Sequence, residues 1–404
     1  MRPTPSSVPD LERLRVGAPA HGGHCVARGP DGHVVFVRHA LPGELVLARI
    51  TEQAGSFWRA DAVEVLEPSP DRVAPPCPHA GPGRCGGCDW QHASGPAQRG
   101  IKAAVVREQL ARLARLDVPV TVEELPGGLL GWRSRIQWAI TADGTLGLRR
   151  HRSHDVEPIE FCPLGAPGVG NPPAPRPGLT GVEVVRGDDG RLSVLGRAPE
   201  PGRQARGRRP PDRVRLISGP ARLRHTVADR TLEVDAAGFW QVHPHAAEAF
   251  AGALLDMVRV RPGERVLDLY AGAGLFTGLL ADAVGPRGEV VAVEMSPQAV
   301  ADAEANLAEL PQARVVRARV IPDVVGDADV VVLDPPRSGA GRDVMAAIAT
   351  HTRRAVGYVA CDPATLARDL RVAVDTGWRL TGLRAFDAFP MTQHVECVAT
   401  LSRG

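Results

Sequence analysis

Lysine is nearly absent: Lys102 is the only one in 404 residues, and every other basic side chain among the 48 is arginine. Guanidinium groups favour planar, bidentate contacts with phosphate and guanine, although genomic base composition explains the choice equally well. A long uncharged apolar run is also missing. The most apolar window, VLDLYAGAGLFTGLLADAV, carries Asp268, Asp282 and several glycines, which excludes a membrane span. MRPTPSSVPDLERL has no apolar stretch of the secretory kind, so the expected compartment is cytoplasmic. There the seven cysteines are ligands, catalysts or buried thiols rather than disulfides. No internal repeat is present, which excludes a solenoid. With 44% hydrophobic and 23% charged residues, the composition is that of an ordinary globular chain long enough for two or three domains.

What is present divides into three stretches. Residues 1–68 hold short apolar runs separated by turn signals, with Asp31-Gly32 between two of them, and are expected to form a small β-barrel. Residues 69–235 begin with a Pro-, Gly- and Cys-rich segment whose lack of periodicity suggests an element held by something other than a core. A helical pattern (98–116) and several strand-like pieces follow, together with an arginine-rich run from Arg197 to Arg224 that reads as an RNA-facing or merely solvated loop. From residue 236 to 404 the rhythm becomes strand, turn, helix. ERVLDLYAGAG, EVVAVE, DVVVLDPP and AVGYVAC each read as a short buried strand, predicting a doubly wound, Rossmann-like α/β domain.

The first of these strands ends in a turn containing Gly272 and Gly274, after Tyr270. Glycine lets backbone approach a ligand closely. Glu294 ends the next strand, placed to accept hydrogen bonds from both hydroxyls of a ribose. The glycine spacing is not the G-x-G-x-x-G of pyrophosphate binders, so S-adenosylmethionine fits better than a dinucleotide. Asp334 stands at the end of a third strand before a rigid Pro-Pro turn, positioned over the same crevice or serving only to start a helix.

Cys361 lies between AVGYVA and the helix start Asp362-Pro363, near the positive end of a helix dipole where thiolate formation is favoured. Beside a methyl donor, such a thiolate can add to carbon 6 of a uracil and make carbon 5 nucleophilic. The hydrogen on carbon 5 must then be removed. Glu396, inside a terminal strand, is the candidate base, because a carboxylate there is costly unless it serves a site. The plainer alternative for Cys361 is a small buried hydrophobe.

Cys77, Cys85 and Cys88 form C-x7-C-x2-C, and Cys162 returns later in IEFCPLG. Four thiolates suit an iron-sulfur cluster of the 4Fe-4S type or, alternatively, zinc.

These residues together resemble the 5-methyluridine RNA methyltransferases that combine an OB-like TRAM barrel, a central α+β iron-sulfur domain and an S-adenosylmethionine-dependent catalytic domain. ACDPATLARD matches that family's nucleophile stretch at Cys361, and QHVEC its base stretch at Glu396. The resemblance implies cluster ligation by Cys77, Cys85, Cys88 and Cys162. It implies cofactor contacts at Gln241 in GFWQVHP and at Tyr270, Glu294 and Asp334. It further implies a monomer that grips structured RNA through the barrel and flips out its target uridine. The expected substrate is 23S rRNA, with transfer RNA, or a non-catalytic RNA-binding role, as alternatives. The chain departs from the family's pattern with Asp362 after the nucleophile, His243 after Gln241, and Leu275 after the glycine turn.

Overall fold

The computed structural model describes residues 11–174, 176–199 and 212–403. Arg203, Arg206, Arg208 and Arg209 of the arginine-rich run lie outside the described residues. Two compact units emerge: Met1–Val105 with Arg149–Glu157 and Met391–Gln393, and Val106–Leu148 with Pro158–Pro390 and His394–Gly404. Among the described residues no helix is long and apolar enough to cross a membrane.

The first unit is built on a closed barrel of β1 (Leu11–Ala20), β2 (His24–Arg28), β3 (Val34–Arg38), β4 (Leu45–Ala54) and β5 (Phe57–Glu67), in the order β1-β2-β3-β5-β4. The turn predicted at Asp31-Gly32 joins β2 to β3, with Gly32 at a φ of 84° that glycine adopts without strain. Alternation sends Leu14, Val16, Cys25, Ala27, Val35, Val37, Val46, Ala48 and Ala60 into one core. The Pro- and Gly-rich stretch that follows is held in two ways. Trp90 and Ala93 join the barrel core. The carboxylate of Glu44, 0% exposed, accepts from Arg72 Nε at 2.6 Å, Arg72 Nη2 at 2.7 Å, the Leu41 N–H at 2.8 Å and the Ser69 N–H at 3.1 Å.

This corrects the expectation of a central iron-sulfur domain. Cys77, Cys85 and Cys88 belong to the first unit and Cys162 to the second. Among the described residues no group of three or more His, Cys, Asp or Glu side chains is placed to hold a metal ion. The local partners are different: Gln91 accepts from the Cys77 N–H at 3.1 Å and donates to Cys88 Sγ at 3.0 Å, while Cys85 bridges to Arg150 through backbone. A buried ion pair and an indole fasten this stretch.

Helix α1 (Gly95–Gln109) is followed by β6 (Val122–Glu124), β7 (Arg135–Ile140), β8 (Leu146–Arg149) and β9 (Val156–Pro158). Then come β10 (Gly181–Arg186), β11 (Leu192–Ala198), β12 (Arg213–Ser218) and the hairpin β13 (Arg222–Val227) with β14 (Arg230–Asp235). In the second unit β12-β11-β10-β7-β8 form an antiparallel run, where Arg135 and Arg197 pair with the buried Glu183 at 3.3 and 2.6 Å.

The remaining elements are α2 (Ala246–Val258), β15 (Arg265–Leu269), α3 (Leu275–Val284), β16 (Glu289–Glu294), α4 (Pro297–Asn306), β17 (Ala313–Arg317), β18 (Ala328–Leu333), α5 (Arg342–His351), β19 (Thr352–Ala360), α6 (Pro363–Asp375), β20 (Trp378–Asp387) and β21 (Glu396–Arg403). The sheet order is β17-β16-β15-β18-β19-β21-β20-β6. The first five strands are parallel and β21 runs antiparallel to both neighbours. Valine-rich strands such as Ala328–Leu333 are buried on both faces, as helix-covered parallel strands require. The Rossmann-like expectation holds, and its strand order reverses beside β15, which is where an open α/β sheet leaves a crevice.

Candidate active site

Five acids and one thiol gather at the carboxyl edge of the parallel strands. The last paired rank across the sheet is Leu269 with Val293 and with Leu333, and Leu333 with Tyr358. Tyr270, Glu294 and Asp334 each stand one position beyond it. On the other side, β19 and β21 pair Ala360 with Cys397. Continuing that antiparallel register by one residue sets Cys361 opposite Glu396, with Cα atoms about 5 Å apart. Because β21 runs backwards, Glu396 begins its strand at the same edge where β19 ends.

The glycines of the first turn do different things. A Cβ added to Gly272, which has a φ of 56°, would meet nothing within 4 Å, so open space lies over that backbone. One added to Gly274 would press on Leu307 at 3.2 Å, and this glycine serves packing of the turn against the chain after α4. Glu294 is held rigidly: its carboxylate accepts from the N–H of Gly272 at 3.1 Å, Met295 at 2.8 Å and Ser296 at 2.7 Å. Tyr270 takes a φ of 63°, uncommon for a bulky residue, and its N–H donates to Val293 at 2.9 Å. The open backbone at Gly272 beside a fixed acid fits the ribose end of a nucleoside cofactor.

Electrostatic coupling runs without a gap from the thiol to this acid. Burial pushes the Cys361 thiol up to about 12, helped by Glu396, Asp334 and Asp362 and opposed by Arg337. Burial and Asp334 raise the Glu396 carboxyl well above the ordinary range, again opposed by Arg337. Burial and Asp268 push Asp334 up to about 7. Asp268, 1% exposed, is likewise pushed up to about 7 by burial and Glu294, against the pull of Thr277, whose hydroxyl donates to it at 2.5 Å.

Asp362 caps α6 as predicted, accepting from the N–H groups of Ala364 at 3.0 Å and Thr365 at 2.8 Å. The expected easy thiolate does not follow, because burial and three carboxyl groups act against the helix dipole at Cys361. Gln241 is half-buried in the segment before α2, next to a Phe239 that is 74% exposed and a Trp240 stacked on His225 at 4.5 Å. His243 is buried against Trp132 and kept neutral, its pKa lowered to about 4 by burial and His245. Sequence reasoning passed over Asp268 and Arg337. The signal for each was adjacent: an acid two residues before the Tyr-Ala-Gly turn, and a cation closing Asp-Pro-Pro-Arg.

Known proteins resemble this chain over nearly its whole length. Residues 326–404 match the family described as tRNA (Uracil-5-)-methyltransferase, residues 233–327 match Protein-L-isoaspartate(D-aspartate) O-methyltransferase, and residues 11–63 match the TRAM domain. An uncharacterized RNA methyltransferase of Streptomyces coelicolor is 46% identical over 430 residues, spanning 98% of this chain and 93% of that protein. The 23S rRNA (uracil(1939)-C(5))-methyltransferase RlmD of Alkalilimnicola ehrlichii is 32% identical, spanning 95% of each chain. Among solved structures, the Pyrococcus abyssi tRNA (uracil-54, C5)-methyltransferase in complex with S-adenosyl-L-homocysteine shares the fold, with a TM-score of 0.72 at 21% identity over 96% of this chain and 100% of that one. The chain belongs to the S-adenosylmethionine-dependent RNA (uracil-5-)-methyltransferases that carry a TRAM domain.

Proposed function

We propose that Cys361 is the nucleophile and Glu396 the base of this activity. The observation that carries the reading is their register: two chemically complementary side chains, 35 residues apart, meet across adjacent strands at the ligand edge of the sheet. S-adenosylmethionine supplies the electrophilic methyl group, and Gly272, Glu294 and Tyr270 would hold it. The chain's own residues do the rest. The Cys361 thiol passes its proton to the Asp334 carboxylate as its sulfur adds to carbon 6 of the uracil, and the electron pair of the 5,6 double bond moves toward carbon 5 and the carbonyl. After carbon 5 is methylated, Glu396 takes its hydrogen as a proton, the double bond re-forms and the sulfur leaves. Once ionised, the raised Glu396 carboxylate is the stronger base for it. A thiol pushed up to about 12 by burial and the neighbouring acids is protonated at rest, so its proton must leave as the sulfur attacks. Asp334, near 7, is suited to exchange a proton in neutral solution.

For the RNA, transfer RNA is better supported than 23S rRNA, because the matched family over residues 326–404, which contain both Cys361 and Glu396, is that of tRNA enzymes. The rRNA reading keeps the support of the Alkalilimnicola relative, whose printed substrate is 23S rRNA. Incubating the full chain with labelled S-adenosylmethionine and either tRNA or 23S rRNA, followed by nucleoside mass spectrometry, separates the two. Wild-type protein is expected to form 5-methyluridine in tRNA and Cys361→Ala to form none. Undiminished 5-methyluridine with Cys361→Ala overturns the proposal.

A further inference from the structure

Asp369 lies on the second turn of α6, is 4% exposed, and makes no use of its charge at the helix surface. Its carboxylate reaches across to the turn that follows Asp334. Oδ2 accepts from the Ala340 N–H at 2.7 Å and from the Tyr358 hydroxyl at 2.7 Å, and Oδ1 accepts from the Gly341 N–H at 3.2 Å. The approach is tight enough that a Cβ on Gly339 would stand 2.7 Å from Oδ2, and Gly339 adopts a φ of 81° to pass it. Tyr358, 1% exposed on β19, steadies the carboxylate from below. One buried acid thus ties three things together: the helix that begins just after Cys361, the strand that leads to Cys361, and the far end of the turn that carries Arg337.

Asp334 does not need this tie, since its N–H donates to Leu269 at 3.3 Å and it continues a central strand. Arg337 does need it, because it sits in the exposed middle of the turn with Asp369 as the anchor on its distal side. Arg337 also acts as a cation on both Cys361 and Glu396, opposing the rise of each. We propose that Asp369 is a positioning residue that fixes the Pro335–Gly341 turn and thereby keeps the Arg337 guanidinium within reach of Cys361 and Glu396. The proposal rests on the assignment of those two residues as nucleophile and base.

The groups facing Cys361 are Glu396 from β21, Asp334 and Arg337 from the turn after β18, and Asp362 from the start of α6. Asp369 is not among them, and the ionisable groups it acts on are the neutral phenols of Tyr358 and Tyr270. A change in Cys361 reactivity on mutating Asp369 is therefore not a direct effect of the Asp369 charge, and the loss of the Arg337 cation through the turn is what moves the profile to higher pH.

The experiment measures the rate of iodoacetamide alkylation at Cys361, read by peptide mass spectrometry, against pH in the full-length chain. Asp369→Asn keeps the shape but sets an amide against backbone N–H donors. It is expected to slow alkylation at a given pH by about threefold or more, because losing the cation moves the profile to higher pH. It is also expected to lower kcat by about tenfold while leaving the KM for S-adenosylmethionine within about twofold. Tyr358→Phe, which removes one hydroxyl, moves the profile the same way by less. An Asp369→Asn protein with the wild-type profile overturns the proposal. If that variant does not fold, an unmoved profile in Tyr358→Phe does so instead. The alkylation profile judges Asp369 without RNA, whereas 5-methyluridine formation by Cys361→Ala judges the nucleophile assignment, so the two failures are distinguishable.

Discussion

Replacing Asp268 by Asn should stabilise the second unit in alkaline solution and do little in acid. Asp268 is fully enclosed at the end of β15 and its carboxyl is raised from 3.8 to about 7, chiefly by burial and then by Glu294. An acid whose folded pKa exceeds its unfolded one binds more protons in the native state between those two values. Stability therefore falls as pH rises from about 4 to about 7 and is flat above. The gap corresponds to about 4 kcal/mol at full ionisation, of which about 2 to 3 kcal/mol develops between pH 5 and pH 8. Interior relaxation makes these upper bounds. Asparagine keeps an oxygen for the Thr277 hydroxyl and removes the charge, and whatever its amide costs is independent of pH. Equilibrium urea unfolding of both proteins at pH 5 and pH 8 isolates the difference. The reasoning is refuted if the stability of Asp268→Asn relative to wild type is the same at both values.

Three further outcomes follow from the geometry. Arg72→Met leaves the wholly buried Glu44 carboxylate without its cation and should cost the first unit about 3 to 5 kcal/mol in urea unfolding, most of it recovered in a Glu44→Gln, Arg72→Met double variant. Glu294→Gln, which turns a carboxylate fixed by three backbone N–H groups into an amide that conflicts with them, should weaken S-adenosylmethionine binding in calorimetry by about tenfold or more, and unchanged binding would remove Glu294 from the cofactor site. In the RNA-free protein Cys361, held at about 12, should react with iodoacetamide at pH 7.5 at least about tenfold more slowly than a cysteine in a short peptide, and an equal rate would contradict the acid-crowded site.

The parts of this protein legible in its sequence are those whose physics is local. Alternation and the Asp31-Gly32 turn announced the barrel, because both lie within one strand-turn unit, and the strand-turn-helix rhythm around the glycine turn and Glu294 announced the parallel sheet. Cys361 and Glu396 could be chosen by residue type, but their juxtaposition depends on β21 returning antiparallel between β19 and β20, which no local pattern encodes. The same limit explains two corrections. Cysteine spacing is one-dimensional, and it did not reveal that, among the described residues, no group of three or more His, Cys, Asp or Glu side chains is placed to hold a metal ion. The helix start after Cys361 argued for an easy thiolate, whereas burial, and then Glu396 and Asp334 delivered by other strands, reverse that tendency. The Val122–Glu124 strand is three residues long and pairs with Ala385–Asp387, so only the tertiary fold makes it a strand.

The central claim is that Cys361 bonds transiently to the pyrimidine while a neighbouring carboxylate collects the hydrogen displaced from carbon 5. RNA carrying 5-fluorouridine puts fluorine where that hydrogen must leave, so elimination stalls and the adduct persists. Full-length protein incubated with such RNA and S-adenosylmethionine should give a complex that survives denaturation, with a methylated 5-fluorouridine joined to the peptide containing Cys361. A protein that methylates ordinary RNA yet gives no such complex, or gives one through another residue, would contradict the account.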